Sequence, residues 1–184
     1  MASSYKDSND NNVEALIDDS THTAINIHYE HHEVHIGNHY YITGFDQIDT
    51  NAEIVFGVTA PDTDCEIHVT TLINGTSQIE IYIYENSVFT GGTPVVAINN
   101  NRRTSNTSDA TLVLAPTVSD VGDLISSQSA GKAGVNPTKG SGGLTGREQE
   151  IVLKRNTSYI FKTISKDDDN IISFRADWYE NGIG

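Results

Sequence analysis

Ile171-Ile-Ser-Phe-Arg-Ala-Asp-Trp-Tyr-Glu180 decides the fold. Ile172, Phe174, Ala176 and Trp178 fall on one side of an extended chain, and Ser173, Arg175 and Asp177 on the other. Strict alternation marks a strand with one buried and one solvated face, as in antiparallel sheets. The only tryptophan of the chain sits on its buried face. Just upstream, Glu150-Ile-Val-Leu-Lys-Arg-Asn-Thr157 and Tyr159-Ile-Phe161 read as two further strands, with Ile151 and Leu153 sharing a face.

The same period of two runs back through the chain. Ile25 and Ile27 alternate with polar residues, and His39-Tyr-Tyr-Ile-Thr43 and Glu53-Ile-Val-Phe-Gly-Val58 follow. Cys65, Ile67 and Val69 share one face; Ile79, Ile81 and Ile83 share another, opposite Tyr82 and Tyr84; Leu112 and Leu114 share a third. About nine or ten strands separated by turn signals predict an all-β antiparallel sandwich or barrel. Ile73-Asn-Gly-Thr76 is the strongest hairpin signal, since Asn-Gly accepts the positive φ of a type I′ turn. Asp167-Asp-Asp-Asn170 joins the last two strands and reads as a plain hairpin turn. It lacks the ligand spacing of a calcium loop.

Two stretches break the pattern. Residues 1–21 are polar and acidic, and Leu16 and Ile17 are among the few that can pack, so they read as an extended arm before a single domain over 22–184. Residues 115–148 hold seven glycines, several serines and Lys132, Lys139 and Arg147, and read as a long Gly/Ser-rich loop between strands. They carry no GxxxxGK[ST] phosphate cradle.

Charge narrows the function classes. The net charge is −14 over 184 residues, and all of it lies in residues 1–101, where Lys6 faces fifteen Asp and Glu. Residues 102–184 balance ten Lys and Arg against ten Asp and Glu. Nucleic acid demands clustered positive charge, so it is not an expected partner. A membrane is not expected either, because no apolar run approaches spanning length and the N-terminus has no apolar signal region. Cys65 is the only cysteine, which rules out an intrachain disulfide, and it reads as a small buried hydrophobe. The sequons at Asn74, Asn106 and Asn156 read as chance matches in Asn/Thr-rich turns.

The histidines are the main candidate for chemistry. His28, His31, His32, His35 and His39 crowd together with Glu30 and Glu33. If residues 28–36 form a strand, His31, Glu33 and His35 share a face and can converge on a zinc ion. A helical HExxH is absent, because Ile36 stands where the second histidine belongs. The same residues also suit a symmetry axis, where protonation tunes assembly, or a plain polar strand. Nucleophilic catalysis finds no GxSxG and no activating context for Cys65, so an enzyme is not expected. Tyr40, Tyr82 and Tyr84 suit sugar stacking, an interface, or simply a strand. Arg102 and Arg103, in Asn99-Asn-Asn-Arg-Arg-Thr-Ser-Asn106, either bridge to acidic surface on a neighbour or sit in a solvated loop. The candidate interface residues are therefore Leu16, Ile17, His32, His39, Arg102 and Arg103.

Several landmarks occur in order across residues 22–180: His31-His-Glu-Val-His35 with Gly37 and His39; Thr59-Ala-Pro-Asp-Thr63; Ile83-Tyr-Glu85; Gly92-Thr93; Asn99-Asn-Asn-Arg102 with Thr104-Ser-Asn106; the Gly-rich stretch; Glu150-Ile-Val-Leu-Lys154 with Asn156, Thr157 and Tyr159; and Trp178-Tyr-Glu180. Together they resemble the head-decoration (capsid cement) proteins of tailed phages. The resemblance implies a jelly-roll-like β-sandwich that trimerises on the outside of the capsid, binds the major capsid protein, braces the shell and needs no cofactor. Ala60 interrupts the family's Thr-Pro pair, and Cys65 stands where a larger aromatic is expected. The N-terminal arm is unmatched. The alternative is a carbohydrate- or receptor-binding β-sandwich on the virion's tail or head. A zinc hydrolase on a β scaffold is a third class, carried only by the histidines.

Overall fold

Alternation turns into pairing in a nested order. The computed structural model describes residues 29–131 and 150–182, together with the backbone of β1 (Ser4–Lys6) and β2 (Asn12–Glu14). The chain divides into two units, residues 1–32 and 33–184. In the first, β1 and β2 pair antiparallel, and the Tyr29 ring stacks on His32 at the start of α1 (Tyr29–Ile36). The rest of the expected arm, Leu16 and Ile17 included, lies outside the described residues, as do Ile25 and Ile27.

The second unit is a β-sandwich. β3 (His39–Ile48), β4 (Glu53–Thr59), β5 (Cys65–Gly75) and β6 (Ile79–Glu85) leave in order. They pair antiparallel, in reverse order, with β15 (Asn170–Gly182), β14 (Ser158–Ser165), β13 (Ile151–Leu153) and β12 (Asp123–Ala130). This is a long hairpin rolled up so that successive strands alternate between two sheets, the eight-stranded jelly roll. The elements between β6 and β12 double back. β7 (Val88–Thr90) and β11 (Thr117–Asp120) form a ribbon. β8 (Thr93–Val95) and β10 (Thr111–Leu114) extend one sheet beyond β4, and β9 (Ile98–Asn99) extends the other beyond β3. The sheets run β12-β6-β14-β4-β10-β8 and β13-β5-β15-β3-β9.

The inward faces are those the alternation marks. Ile67, Val69, Ile79, Ile81, Ile83, Ile172 and Trp178 are buried. Each fully buried aliphatic side chain contributes roughly 1.5–3 kcal/mol. Phe174 crosses to meet Phe56 edge-on at 4.8 Å, and it has room because its cross-strand partner is Gly44. A Cβ at Gly44 would stand 2.6 Å from Phe174 Cζ. The space left between the sheets is about 50 Å³, far below the few hundred a ligand pocket needs. Outside the core, Phe89 of the ribbon lies on Gly57, where a Cβ would meet its ring at 2.7 Å.

Three expectations about connections are corrected. Asn74-Gly75 is not a hairpin, because β5 and β6 lie in different sheets and Thr76–Gln78 is the corner between them. Gly75 is needed there for close approach: a Cβ would meet Ile79 Cγ2 at 2.7 Å. Asp167–Asn170 is likewise a corner between sheets rather than a hairpin turn. Asn170, fully buried, joins the two corners: its Oδ1 accepts from Ser77 N (2.9 Å) and its Nδ2 donates to Gln78 O (3.1 Å). Finally, residues 115–131 are not loop, since they hold β11 and β12. None of the eight residues of β12 is buried, so it carries no apolar alternation. Glycines hold its ends instead: Gly122 and Gly131, both at positive φ, leave no space for a Cβ against Glu85 O and Ser77 O. The remainder of the segment, 132–149, lies outside the described residues.

Candidate functional site

Two constellations of polar side chains stand out. The first closes one end of the sandwich. Glu180 follows Trp178 by two residues, so both point inward, and Glu180 is only 6% exposed. Its Oε1 accepts from Trp178 Nε1 (2.9 Å) and Ser108 Oγ (2.5 Å), and its Oε2 from Asp109 N (2.9 Å). Tyr40 Oη donates to Thr107 O at 3.1 Å. The segment before β10 is thereby tied to β3 and β15. Beside it opens a polar cleft of about 420 Å³, lined by Asn38, Tyr40, Cys65, Asn106, Asp109 and Glu180.

Donor atoms of Cys65, Asp109 and Glu180 lie within 4.8 Å of one another, the one such trio among the described residues. Burial, then the carboxylates of Glu180 and Asp109, push the Cys65 thiol up to about 11. Burial and the same carboxylates push Tyr40 up to about 12. A thiol held protonated at neutral pH is a poor nucleophile, and a metal cation would have to displace its proton. Glu180 already spends its oxygens on three donors, so a cation would have to displace them. The residues present therefore fit a structural clasp and fit a metal poorly. Cys65 itself packs against the margin of the core, half-buried rather than fully buried, and lines this cleft.

The second constellation lies on the outer face of the five-stranded sheet. Val152, His68, Tyr179 and His39 stand in one cross-strand row. The Tyr179 ring stacks on His68 at 4.5 Å and on His39 at 6.4 Å. Glu150 Oε1 accepts from Tyr179 Oη at 2.7 Å and meets His68 Nδ1 at 2.5 Å. An ionised carboxylate only accepts, so it fixes the His68 proton on Nδ1 and turns Nε2 toward Glu66, 3.6 Å away. This is the orienting half of an acid–base pair. Tyr179 Oη also lies 3.1 Å from His68 Nδ1, the nitrogen that Glu150 engages. Among the described residues no serine, threonine or cysteine bonds to His68, so the pair has no activated side-chain nucleophile beside it.

The segment whose zinc reading depended on a strand is a helix. Residues 29–36 form α1, ended by Gly37 at φ +84°, with Gly37 N and Asn38 N both donating to Glu33 O. Helical residues two apart stand about 200° around the axis, so Glu33 and His35 do not share a face. Glu33 is 2% exposed, whereas His31 and His35 are exposed. The face that was to unite His31, Glu33 and His35 does not exist. The signal for the helix end was in the sequence: a left-handed glycine after a polar run without period two.

The Asn-rich segment also finds its role here. Asn101 Nδ2 donates to His35 O (2.8 Å), and Asn99 Nδ2 donates to Gly37 O (2.7 Å). These amides satisfy carbonyls that a helix end leaves open. Arg102 and Arg103 project from this loop, exposed, and His32 is exposed too. His39 is buried and bonds Asn100 Nδ2 at 2.5 Å. Tyr40 is buried, not exposed, while Tyr82 and Tyr84 are half-buried and stacked at 6.1 Å.

One surface escaped the sequence reading. Phe45 is 77% exposed, with Ile171 and Leu72 on the same outer face of the five-stranded sheet. Arg175 lies between them, clamped by Asp177 and set 4.2 Å over the Tyr41 ring. Comparison with family models, curated proteins and solved structures finds no match to this chain.

Proposed function

We propose that this chain is a structural virion protein, a decoration (cement) protein that binds the outside of a tailed-phage head. Its partners on this reading are the major capsid protein and further copies of itself, around a local threefold axis of the shell. The observation that carries the reading is the outer sheet face bearing Phe45, Leu72 and Ile171. It presents apolar side chains to water, while the space between the sheets is too small for a sizeable apolar ligand. Such a face suits a macromolecular partner. The ordered landmarks across residues 22–180 add the phage context. A protein that binds the assembled shell and not loose subunits stabilises the shell by mass action.

Quantitative mass spectrometry of purified particles tests this, with the major capsid protein as the internal standard. Hundreds of copies in simple ratio to the shell protein are expected. A handful per particle, or none, defeats it. A handful would favour a carbohydrate- or receptor-binding module, the second reading. That reading has its own observation in the stacked Tyr82–Tyr84 pair on the other sheet, and a glycan array tests it directly.

A further inference from the structure

The cleft beside the Glu180 clasp holds two carboxylates and no countercharge. Glu180, buried, and Asp109, exposed, both line it. Among the described residues no lysine or arginine pairs with either: Lys154 takes Glu85, Arg155 takes Asp62 and Asp64, and Arg175 takes Asp177. An oxygen of each lies within 4.8 Å of the other and of Cys65 Sγ. Like charges this close repel, and partial burial strengthens the repulsion. The neighbours feel the same field, which joins burial in keeping the Tyr40 hydroxyl and the Cys65 thiol protonated.

The hydrogen-bonding groups of the cleft are one-sided too. Tyr40 Oη donates to Thr107 O at 3.1 Å, Asn106 Nδ2 to Gly37 O at 3.2 Å, and Cys65 Sγ to Glu66 O at 3.9 Å. With these donors spent inside the protein, what remains is acceptor capacity on Tyr40 Oη and Asn106 Oδ1. An ionised carboxylate offers about four acceptor positions. Glu180 uses three of them, and the Asp109 carboxylate bonds to no donor among the described residues. We infer that this cleft binds a primary ammonium group, held between Asp109 and Glu180, with Tyr40 and Asn106 accepting its remaining N–H bonds. A space of about 420 Å³ admits a small organic cation. An ammonium is a compact point charge with three rotatable donors, which suits acceptors that converge on one spot. A metal would have to displace the Cys65 proton and the donors on Glu180, whereas an ammonium leaves both in place. The inference stands on the cleft alone and holds whatever surface meets a capsid.

The test uses the full chain, isotope-labelled for nuclear magnetic resonance. Trp178 is the only tryptophan, so its indole N–H, which donates to Glu180, gives a single signal, and the Asp109 amide that donates to the same carboxylate is a second reporter. Titration with n-butylammonium chloride should move both signals to saturation, beyond the effect of sodium chloride at equal ionic strength. Asp109→Asn keeps the amide bond to Glu180 and removes the exposed charge; it should weaken binding by about tenfold or more, with the thermal melt unchanged. Tetramethylammonium carries the charge without N–H donors and should bind more weakly than butylammonium, a contrast that needs no variant. A peptide with one lysine separates two sources of the same chemistry: tighter binding than butylammonium assigns the group to a protein partner, weaker binding to a small amine, and either upholds the site. No saturable shift overturns the inference, as do equal binding of the two ammonium ions, equal affinity in a folded Asp109→Asn, or a response to zinc or calcium chloride alone. None of these touches the virion reading, since copy number on particles is measured separately.

Discussion

β15 and β12 are both long strands held in opposite ways. β15 lies between β5 and β3, paired on both sides, and sends Ile172, Phe174, Ala176 and Trp178 into the core. Among the described residues β12 pairs on one side only, and it packs only the half-buried Ala130 against the core. Its place is set by backbone pairing and by two glycines that let the chain approach β6's flanks. The difference teaches that side-chain alternation records burial, not strand identity. A strand that buries almost nothing leaves its trace in the residues that bracket it.

If β15 is held by packing, cutting its core side chains should cost most. Trp178→Ala should destabilise the domain by about 3–5 kcal/mol, read from urea denaturation. The loss includes the bond from the indole to the buried Glu180. An unchanged midpoint would mean that β15 is held as β12 is. Gly44→Ala should cost about 1–3 kcal/mol by overpacking against Phe174. Adding Phe174→Leu should recover part of that cost, because the methyl then has somewhere to go. Failure of the double variant to recover would place the strain in the backbone.

The legibility of the sequence follows the same division. The longer strands with an inward face were readable from the period of two, from Tyr40 and Ile42 to Trp178, and with them the sandwich; the short β8 and β9 carry no such period. The connections were misread because Asn74-Gly75 and Asp167–Asn170 carry turn chemistry that serves equally well to cross between sheets; pairing partners, which decide between the two, are non-local. The run from His28 to Ile36 shows no strong period, so its helix is marked only by Gly37 at its end. The clasp on Glu180 was half legible: Trp178-Tyr-Glu180 puts a carboxylate two residues after a buried tryptophan, and a buried carboxylate needs donors. That Ser108 and Asp109 supply them could not be read, because they lie some seventy residues away in sequence.

The glycine brackets give the next test. Gly122→Ala places a side chain at φ +78°, with its Cβ 2.1 Å from Glu85 O, a backbone atom that cannot swing aside. The left-handed conformation alone costs about 1–2 kcal/mol. The effect should be local, with faster amide exchange in β12 and the facing residues of β6 while β15 keeps its protection. Equal loss of protection in β15 would show that the two strands belong to one cooperative unit, and would weaken the contrast between them.

The smallest effect lies where β15 ends, opposite Cys65. Burial and the nearby carboxylates raise the thiol from its ordinary 9.0 to about 11 in the folded chain. Unfolding therefore releases a proton between those values, and the folded state loses stability as pH rises through them. Tyr40 does the same over a higher window, from 10.0 to about 12. Wild-type urea midpoints should begin to fall near pH 9, whereas Cys65→Ser should hold until the Tyr40 window opens near pH 10. Solvent reaches the half-buried thiol and screens its neighbours, so the slope should be shallow. Identical midpoints in the two proteins across that interval would mean that Cys65 ionises as freely as an exposed thiol, and that the clasp is looser than its hydrogen bonds imply.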